Sequence, residues 1–461
     1  MRRMPPSSKS RHAAKRPAGR GFAARHEAGR ALRSRTPRSS HSKLNVVQKG
    51  RDVIALLERS NRGRIATLVP IRYGRMLHSP FAFLRGAATT MAFDLASTPV
   101  SGLHVQACGD AHLMNFGGFA TPERHLVFDV NDFDETLRAP WEWDLKRLAT
   151  SVTVAARHLG QSKRHVSAAT MAAVAGYREK MAWYASMGAL ELWYQRIDAS
   201  QVSELHLDSQ DRQALAAPLN PVTEHRYPRL TKAVGATHRI KEERPLIYRP
   251  RRGDRTIANI PQLLARYRAT LPADRHTLLE RFDLIDVAIK VVGVGSVGTR
   301  CAIALLMTAD QEPLFLQFKE ARVSVLETYV GRGLYANQGE RIVVGQRLMQ
   351  AASDIFLGWT TDPVLKVDFY VRQLRDCKTA ADVENMDHPH LLDYAGHCGA
   401  ALARAHAKAG DAAAISGYIG KSAALDEAIA QFAAAYADQN QKDYETLRTA
   451  VKHGRIAAMD A

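Results

Sequence analysis

Two short stretches concentrate acids and amides beside apolar residues: CGDAHLMNFGG at residues 108–118 and NDFDE at 131–135. Burying such groups without partners is costly. A chain that embeds them beside the β-prone runs LHVQACGD and HLVFDVND must therefore either satisfy them or use them. The connector GGFATPER is rich in turn formers, so the expected local structure is strand, loop and strand. A hairpin brings its two ends together, which would deliver Asp110, Asn115 and Asp132 to one point. A turn pair is the plain alternative for Asp110 and Asn115, since both types favour turns. The neighbouring block NDFDE is too acidic for a turn alone.

Asp110 and Asn115 have the spacing D-x-x-x-x-N of a phosphotransferase catalytic loop. Phosphoryl transfer needs a carboxylate to orient the acceptor hydroxyl and oxygen ligands for Mg²⁺. Asp110 fits the base, and Asn115 and Asp132 fit the metal ligands. Asp134, two residues on along the same strand direction, is a rival for the metal. His112, His397 and His406 share no ligand spacing and are expected to be structural or local.

Such a site also needs a nucleotide clamp, for which VVGVGSVGTRCAIALL offers Gly293, Gly295 and Gly298. A dinucleotide-binding turn would need a following helix and an acid at the end of the second strand. Here the turn TADQEP separates two β-prone runs, so a glycine hairpin is expected instead, and an NAD-dependent oxidoreductase is the weakest reading. In LFLQFKEA, alternation puts Leu314, Leu316 and Phe318 on one face and Phe315, Gln317 and Lys319 on the other. Lys319 is then poised to pair with phosphates, with Glu327 or Glu340 as its acidic partner; periodicity does not choose between them.

The blocks GDAHLMNFG and VNDFDETLRAPWEWDL resemble the corresponding blocks of aminoglycoside phosphotransferases and related small-molecule kinases. That resemblance implies Asp110 as catalytic base, Asn115 and Asp132 as metal ligands, and Asp144 as the acid that braces the catalytic loop. The usual His ahead of the Gly-Asp pair is Cys108 here. The run PIRYGRM, SPFAFLRG, GDAHLMNFG, NDFDE and WEWDLKRLA further resembles a bacterial family known as domain-of-unknown-function family 2252, over nearly all of residues 45–410. In ordinary kinases the glycine loop precedes the catalytic Asp, whereas here it follows by about 180 residues. The expected fold is therefore α+β, a two-lobe protein-kinase-like arrangement in circularly permuted order, which exposed linkers and neighbouring termini make tolerable.

The organisation expected along the chain is a disordered basic tail over 1–45, then a helical lobe carrying the catalytic loop over 46–280. A β-rich nucleotide lobe follows over 281–385, and helices over 386–461 pack on the catalytic lobe. The net charge of +18 is concentrated at the start, where residues 1–50 hold 14 Lys or Arg against the single acid Glu27. Such a segment buries little apolar surface, so a solvated, mobile leader is the plain reading, with weak nonspecific nucleic-acid contact or an organellar targeting role as the alternatives. No apolar run suggests a membrane span or secretory leader, so a cytoplasmic protein is expected. The four cysteines form no CxxC pair. Arg72, Arg75 and Arg85 suit anion recognition or the bracing of buried acids such as Asp129 or Asp134, and Gln346, Arg347 and Gln350 form a second polar set.

The function these readings imply is ATP- and Mg²⁺-dependent phosphoryl transfer to a hydroxyl of a small molecule or protein. Adenylyl transfer at the same site, or nucleotide binding without turnover, are the alternatives.

Overall fold

The computed structural model describes residues 21–45, 50–199, 202, 239–244, 246–249, 260–291, 293, 295–374 and 381–459. The first twenty residues of the basic segment, Cys377 and part of the charged stretch HRIKEERPLIYRPRRGDR lie outside the described residues. The described part is a mixed α+β structure. Among the described residues no helix is long and apolar enough to cross a membrane.

The chain starts with helix α1 (Phe22–Ala31), then α2 (Val53–Asn61), α3 (Val69–Leu77), α4 (Pro80–Gly86) and α5 (Ala88–Leu95). Pro70 and Pro80 sit in the first turns of α3 and α4, where a missing N–H costs nothing, so they start helices. Ser79 caps α4 by accepting the Ala82 N–H. Strand β1 (His104–Ala107) pairs with β4 (Leu137–Pro140), and between them lies the hairpin of β2 (Phe116–Ala120) and β3 (Leu126–Val130). Long helices follow: α6 (Trp141–His158) and α7 (Lys163–Ala185), then the short α8 (Ala189–Tyr194).

A six-stranded antiparallel sheet forms the second layer. It contains β5 (Ile247–Tyr248), β6 (Asp283–Lys290), β7 (Cys301–Met307), β8 (Pro313–Ala321), β9 (Gly358–Asp362) and β10 (Val367–Gln373), in the order β5-β6-β7-β8-β10-β9. The continuous apolar run of β7 is explained by burial of both faces. Ala302, Ala304 and Leu306 join one cluster with α9 (Ile260–Arg268) and α10 (Ala273–Leu279), while Ile303, Leu305 and Met307 join another with Ile240 and Leu374. Leu314, Leu316 and Phe318 of β8 share the first cluster, as alternation requires. The unit built on the sheet thus reaches back before residue 281, because helical periodicity marks a helix without saying which sheet it covers.

After α11 (Glu327–Val330) and α12 (Gln338–Met349), the chain ends in α13 (His388–Ala409), α14 (Ala412–Ile419) and α15 (Ala424–Lys452). Helix α13 lies along α7 at a glycine-permitted distance: a Cβ on Gly399 would stand 2.0 Å from the Ala173 carbonyl oxygen. These helices, with α4 and α6, enclose the largest apolar cluster.

Residues 21–45 depart from the expected disorder. Helix α1 packs against α14, with Gly29 and Gly417 letting the two backbones touch. Arg33 donates to the carbonyls of Tyr418 and Gly417, and buried His41 bonds the Tyr418 hydroxyl at 2.6 Å. Composition concealed this because α1 buries backbone and glycine rather than large apolar side chains. Gly417→Val should therefore cost about 1–3 kcal/mol, the usual range for overpacking, since its Cβ would meet the His26 carbonyl oxygen at 1.9 Å. Urea unfolding measures it; a variant as stable as the parent would show the α1–α14 contact to be dispensable.

Candidate active site

The acid-and-amide blocks fold as a loop after β1, the β2–β3 hairpin, and a second loop before β4. Gly109 has φ of 85°, and a Cβ there would lie 2.3 Å from the Glu135 carbonyl oxygen, so only glycine lets the two loops touch. The Asp144 carboxylate, in the first turn of α6, accepts the backbone N–H of Cys108 at 2.6 Å and of Gly109 at 2.9 Å. His406 lies 3.1 Å from the same carboxylate and is held in turn by Tyr177. Cys108 stands where the resemblance calls for His; its thiol reaches the Asp132 carbonyl oxygen at 3.3 Å and so links the two loops. The bracing of the loop implied for Asp144 is thus present as geometry.

Asp110 faces a cavity of about 340 Å³ that is also lined by His112, Asn115, Asp132, Asp134 and Gly293. Arg147, one helical turn beyond Asp144 on α6, holds Asp110 Oδ1 through both Nε at 2.8 Å and Nη2 at 2.6 Å. Oδ2 is left facing His112, whose Nε2 is 3.9 Å away. Burial pushes the Asp110 carboxyl up to about 6 despite the opposing pull of Arg147. Burial also lowers His112 well below its ordinary value, and the charges of Arg147 and Arg85 add to the effect. The Asn115 amide donates to the Asp110 carbonyl at 2.6 Å, which tightens the loop.

Lys319 enters from β8. Its ammonium lies 2.6 Å from Asp134 Oδ2 and 3.7 Å from Asp132 Oδ2, although about 180 residues separate the segments. Tyr370, directly opposite Lys319 on β10, donates its hydroxyl to Asp134 Oδ1 at 2.9 Å. Burial alone would raise the Asp134 carboxyl, but the Lys319 charge and these hydrogen bonds hold it below the ordinary range. Lys319 is raised well above its own, its desolvation outweighed by Asp132 and Asp134.

The glycine segment between β6 and β7 is a hairpin connection of antiparallel strands, with no helix after it, so the dinucleotide-turn reading lacks its helix. Gly293 and Gly295 line the cavity, and the Ser296 hydroxyl is 3.3 Å from Asp134 Oδ2. Gly298, with φ of 84°, packs instead against the Arg64 side chain.

The acidic partner expected for Lys319 is a different residue. Glu327 accepts from the Gly333 N–H, and Glu340 lies in the first turn of α12, where its N–H is capped by Asn337. Neither forms an ion pair with Lys319, because Asp134 and Asp132 already occupy its ammonium. The second polar set is structural as well: Gln346 bonds Gln350, and Gln350 bonds the Val130 carbonyl. Sequence reasoning did not single out Arg147, Tyr370, Ser296 or Arg341. Arg341 on α12 is fully buried and ties the backbones of Asp134 and Arg322 together. The spacing of Arg147 from Asp144 on one helix face was the available signal for one of them.

The class so defined is an α+β protein with an acid-lined, arginine-rich cleft between a helical body and an antiparallel sheet. The chain belongs to the family described as uncharacterized protein conserved in bacteria, DUF2252, whose model matches residues 64–450. No curated protein and no solved structure matches it.

Asp129, on β3 behind the acidic loop, marks where structure ends and chemistry begins. Arg404 of α13 bonds both its oxygens, and both side chains are fully buried. Asp129→Asn should destabilise the fold by roughly 3–5 kcal/mol, the cost of leaving a buried charge unpaired. Chemical denaturation checks it, and a loss under about 1 kcal/mol would mean that the pair is not holding β3 to α13.

Proposed function

We propose that this protein is an ATP- and Mg²⁺-dependent phosphotransferase acting on a hydroxyl acceptor, with a two-lobe kinase-like arrangement in circularly permuted order. The observation that carries the reading is the meeting of Lys319 with Asp134 and Asp132 beside the glycine hairpin, these two acids lining the same cavity as Asp110. Four elements distant in sequence converge there in the combination that phosphoryl transfer needs.

The roles follow from which oxygens are already used. Both oxygens of Asp134 are bound, by Tyr370 on one side and by Lys319 and Ser296 on the other. Asp134 is therefore the partner that positions Lys319, the part expected of Glu327 or Glu340. Asp132 keeps Oδ2 more open, since its Oδ1 accepts the Asp134 N–H. With the Asn115 amide oxygen it offers the hard oxygens that Mg²⁺ takes alongside phosphate and water. Mg²⁺ would there offset the charge of the phosphates. The glycine hairpin would receive those phosphates on its backbone, and Lys319 would pair with them.

Asp110 Oδ2 accepts the acceptor's proton as the acceptor oxygen bonds to the γ-phosphorus, and the bond from that phosphorus to the ADP oxygen breaks. Arg147 holds Oδ1 so that Oδ2 stays turned to the cavity. A base of this kind must be ionised. Turnover should therefore fall as pH drops through about 6, rather than through the ordinary aspartate range near 4. A pH–rate profile flat between 5 and 7 would remove Asp110 from the role.

Asp110→Asn should leave ATP binding intact while lowering turnover roughly 10²- to 10⁴-fold, the usual worth of a general base. Lys319→Ala should reduce the rise in melting temperature that ATP with Mg²⁺ produces, because a ligand stabilises in proportion to its affinity for the native state. Mass analysis of products after incubation with ATP, Mg²⁺ and a cell extract identifies the transferred group. Added phosphate supports the proposal, added AMP replaces it with adenylyl transfer, and nucleotide binding without any product leaves a binding protein.

A further inference from the structure

The cleft carries a charge feature that phosphoryl transfer from ATP does not use. Arg64, Arg72 and Arg85 line the same cavity as Asp110. Of the acids near them, Asp110 is held by Arg147, Asp134 by Lys319 and Glu320 by Arg300, while Glu135 accepts the Val325 N–H and Glu384 bears on Arg85 without an ion pair. Among the described residues none of the three arginines forms an ion pair with a carboxylate. Arg72 is only 2% exposed and donates to the Asn61 amide oxygen and the Gly86 carbonyl, both neutral, with its Nε unmatched. Arg64 donates to the carbonyls of Ser60 and Val297. Half-buried Arg85 has an unmatched Nε, and its guanidinium lies 5.8 Å from the Phe81 ring.

Buried charge is costly unless paired. Burial lowers all three guanidiniums, Arg72 to about 10 and Arg64 to about 8, the latter further repelled by Arg72 and Arg322. A fold that gathers like charges at this cost gains it back when an anion binds, and the planar forks suit a phosphate. Two anions could be meant, the phosphates of the nucleotide or a group on the acceptor. Position favours the acceptor. Arg85 lines the cavity with Asp110 and His112, helps to lower His112, and feels Asp110 after Glu384, whereas Lys319 and the glycine hairpin stand on the side assigned to the nucleotide.

We propose that the acceptor is itself a phosphorylated hydroxyl compound, its phosphate clamped by Arg85 and Arg72 with Arg64 beside them, so that its free hydroxyl meets Asp110. This rests on the phosphotransferase reading and adds the chemical class of its substrate. Donor and acceptor phosphates would then occupy one cavity together.

Calorimetric titration of inorganic phosphate into the full-length protein, saturated with a non-hydrolysable ATP analogue and Mg²⁺, tests it. Phosphate should bind in the presence of the analogue. Arg85→Gln should weaken phosphate roughly tenfold or more, as expected for a lost charged hydrogen bond, and leave analogue affinity unchanged. Arg85→Lys, which keeps charge without the fork, should weaken it less. Phosphate and analogue that exclude each other, with Arg85→Gln weakening the analogue, would assign the arginines to the nucleotide and overturn the proposal. Phosphate that fails to bind the parent protein would also overturn it. If the parent binds no analogue at all, it is the phosphotransferase reading that falls; phosphate binding sensitive to Arg85→Gln would still support the anion clamp. Should both variants fail to fold, the parent's phosphate titration with and without the analogue decides alone.

Discussion

The ammonium of Lys319 sits within a sheet, its side chain only 5% exposed, and a charge so placed demands anions. The sheet does not supply them. They come from Asp134 and Asp132, in a loop that belongs to the helical body. That one requirement fixes how the two layers meet, because a shift of a few ångströms would leave a buried cation and two carboxylates unpaired at once. Tyr370 and Ser296 reinforce the junction from β10 and the glycine hairpin, and Arg341 binds the same loop by its backbone. The contact is therefore shared by five segments of chain, which is how a polar cluster can be both costly and fixed.

The loop that carries Asp110 has its own support on the opposite side. Asp144 satisfies the two backbone N–H groups that the turn at Gly109 leaves without a ladder partner. Behind it His406 and Tyr177 complete a buried chain running through α13 and α7. The C-terminal helices thus position a loop some three hundred residues earlier in the sequence, by way of one carboxylate. Asp129 and Arg404 repeat the arrangement one strand away with no access to the cavity, which separates a purely structural pair from those that border the site.

Much of this was legible because it obeys short periods. Alternation in LFLQFKEA put Lys319 on the face opposite Leu314, Leu316 and Phe318, and the spacing of Asp110, Asn115, Asp132 and Asp144 marked the acidic cluster. What a period cannot carry is which segment meets which. Periodicity offers Glu327 or Glu340 as a helical acid following the lysine, but the acid that meets Lys319 lies 185 residues earlier and belongs to another layer. The segment of residues 21–45 departs from the expected disorder for a related reason. Its charge suggested disorder, whereas its arginines are spent on backbone carbonyls of α14 and its closest contacts are made by glycines. Neither leaves an apolar stripe to count.

The helices α2 to α4 join these parts into one device. Ile65 donates its N–H to the Gly298 carbonyl, Arg64 reaches Val297, and Arg75 reaches Gly293, so the glycine hairpin is moored to the N-terminal helices by its backbone. Arg322, just beyond β8, returns the contact to Ser60. The same helices present Arg72 and Arg85 to the cavity, and the Leu84 carbonyl of α4 accepts from Arg147, which in turn holds Asp110. A displacement of the hairpin would thus be felt at α3 and α4, then at Arg147, and then at the carboxylate. Glycine at 298 is what permits the first of these contacts, since its backbone is in the left-handed region and a side chain there would press on Arg64. Arg75, which bonds the Gly293 carbonyl, and Arg72, which bonds Asn61 and the Gly86 carbonyl, are therefore part of the physical link between the hairpin, α4 and the acid held by Arg147.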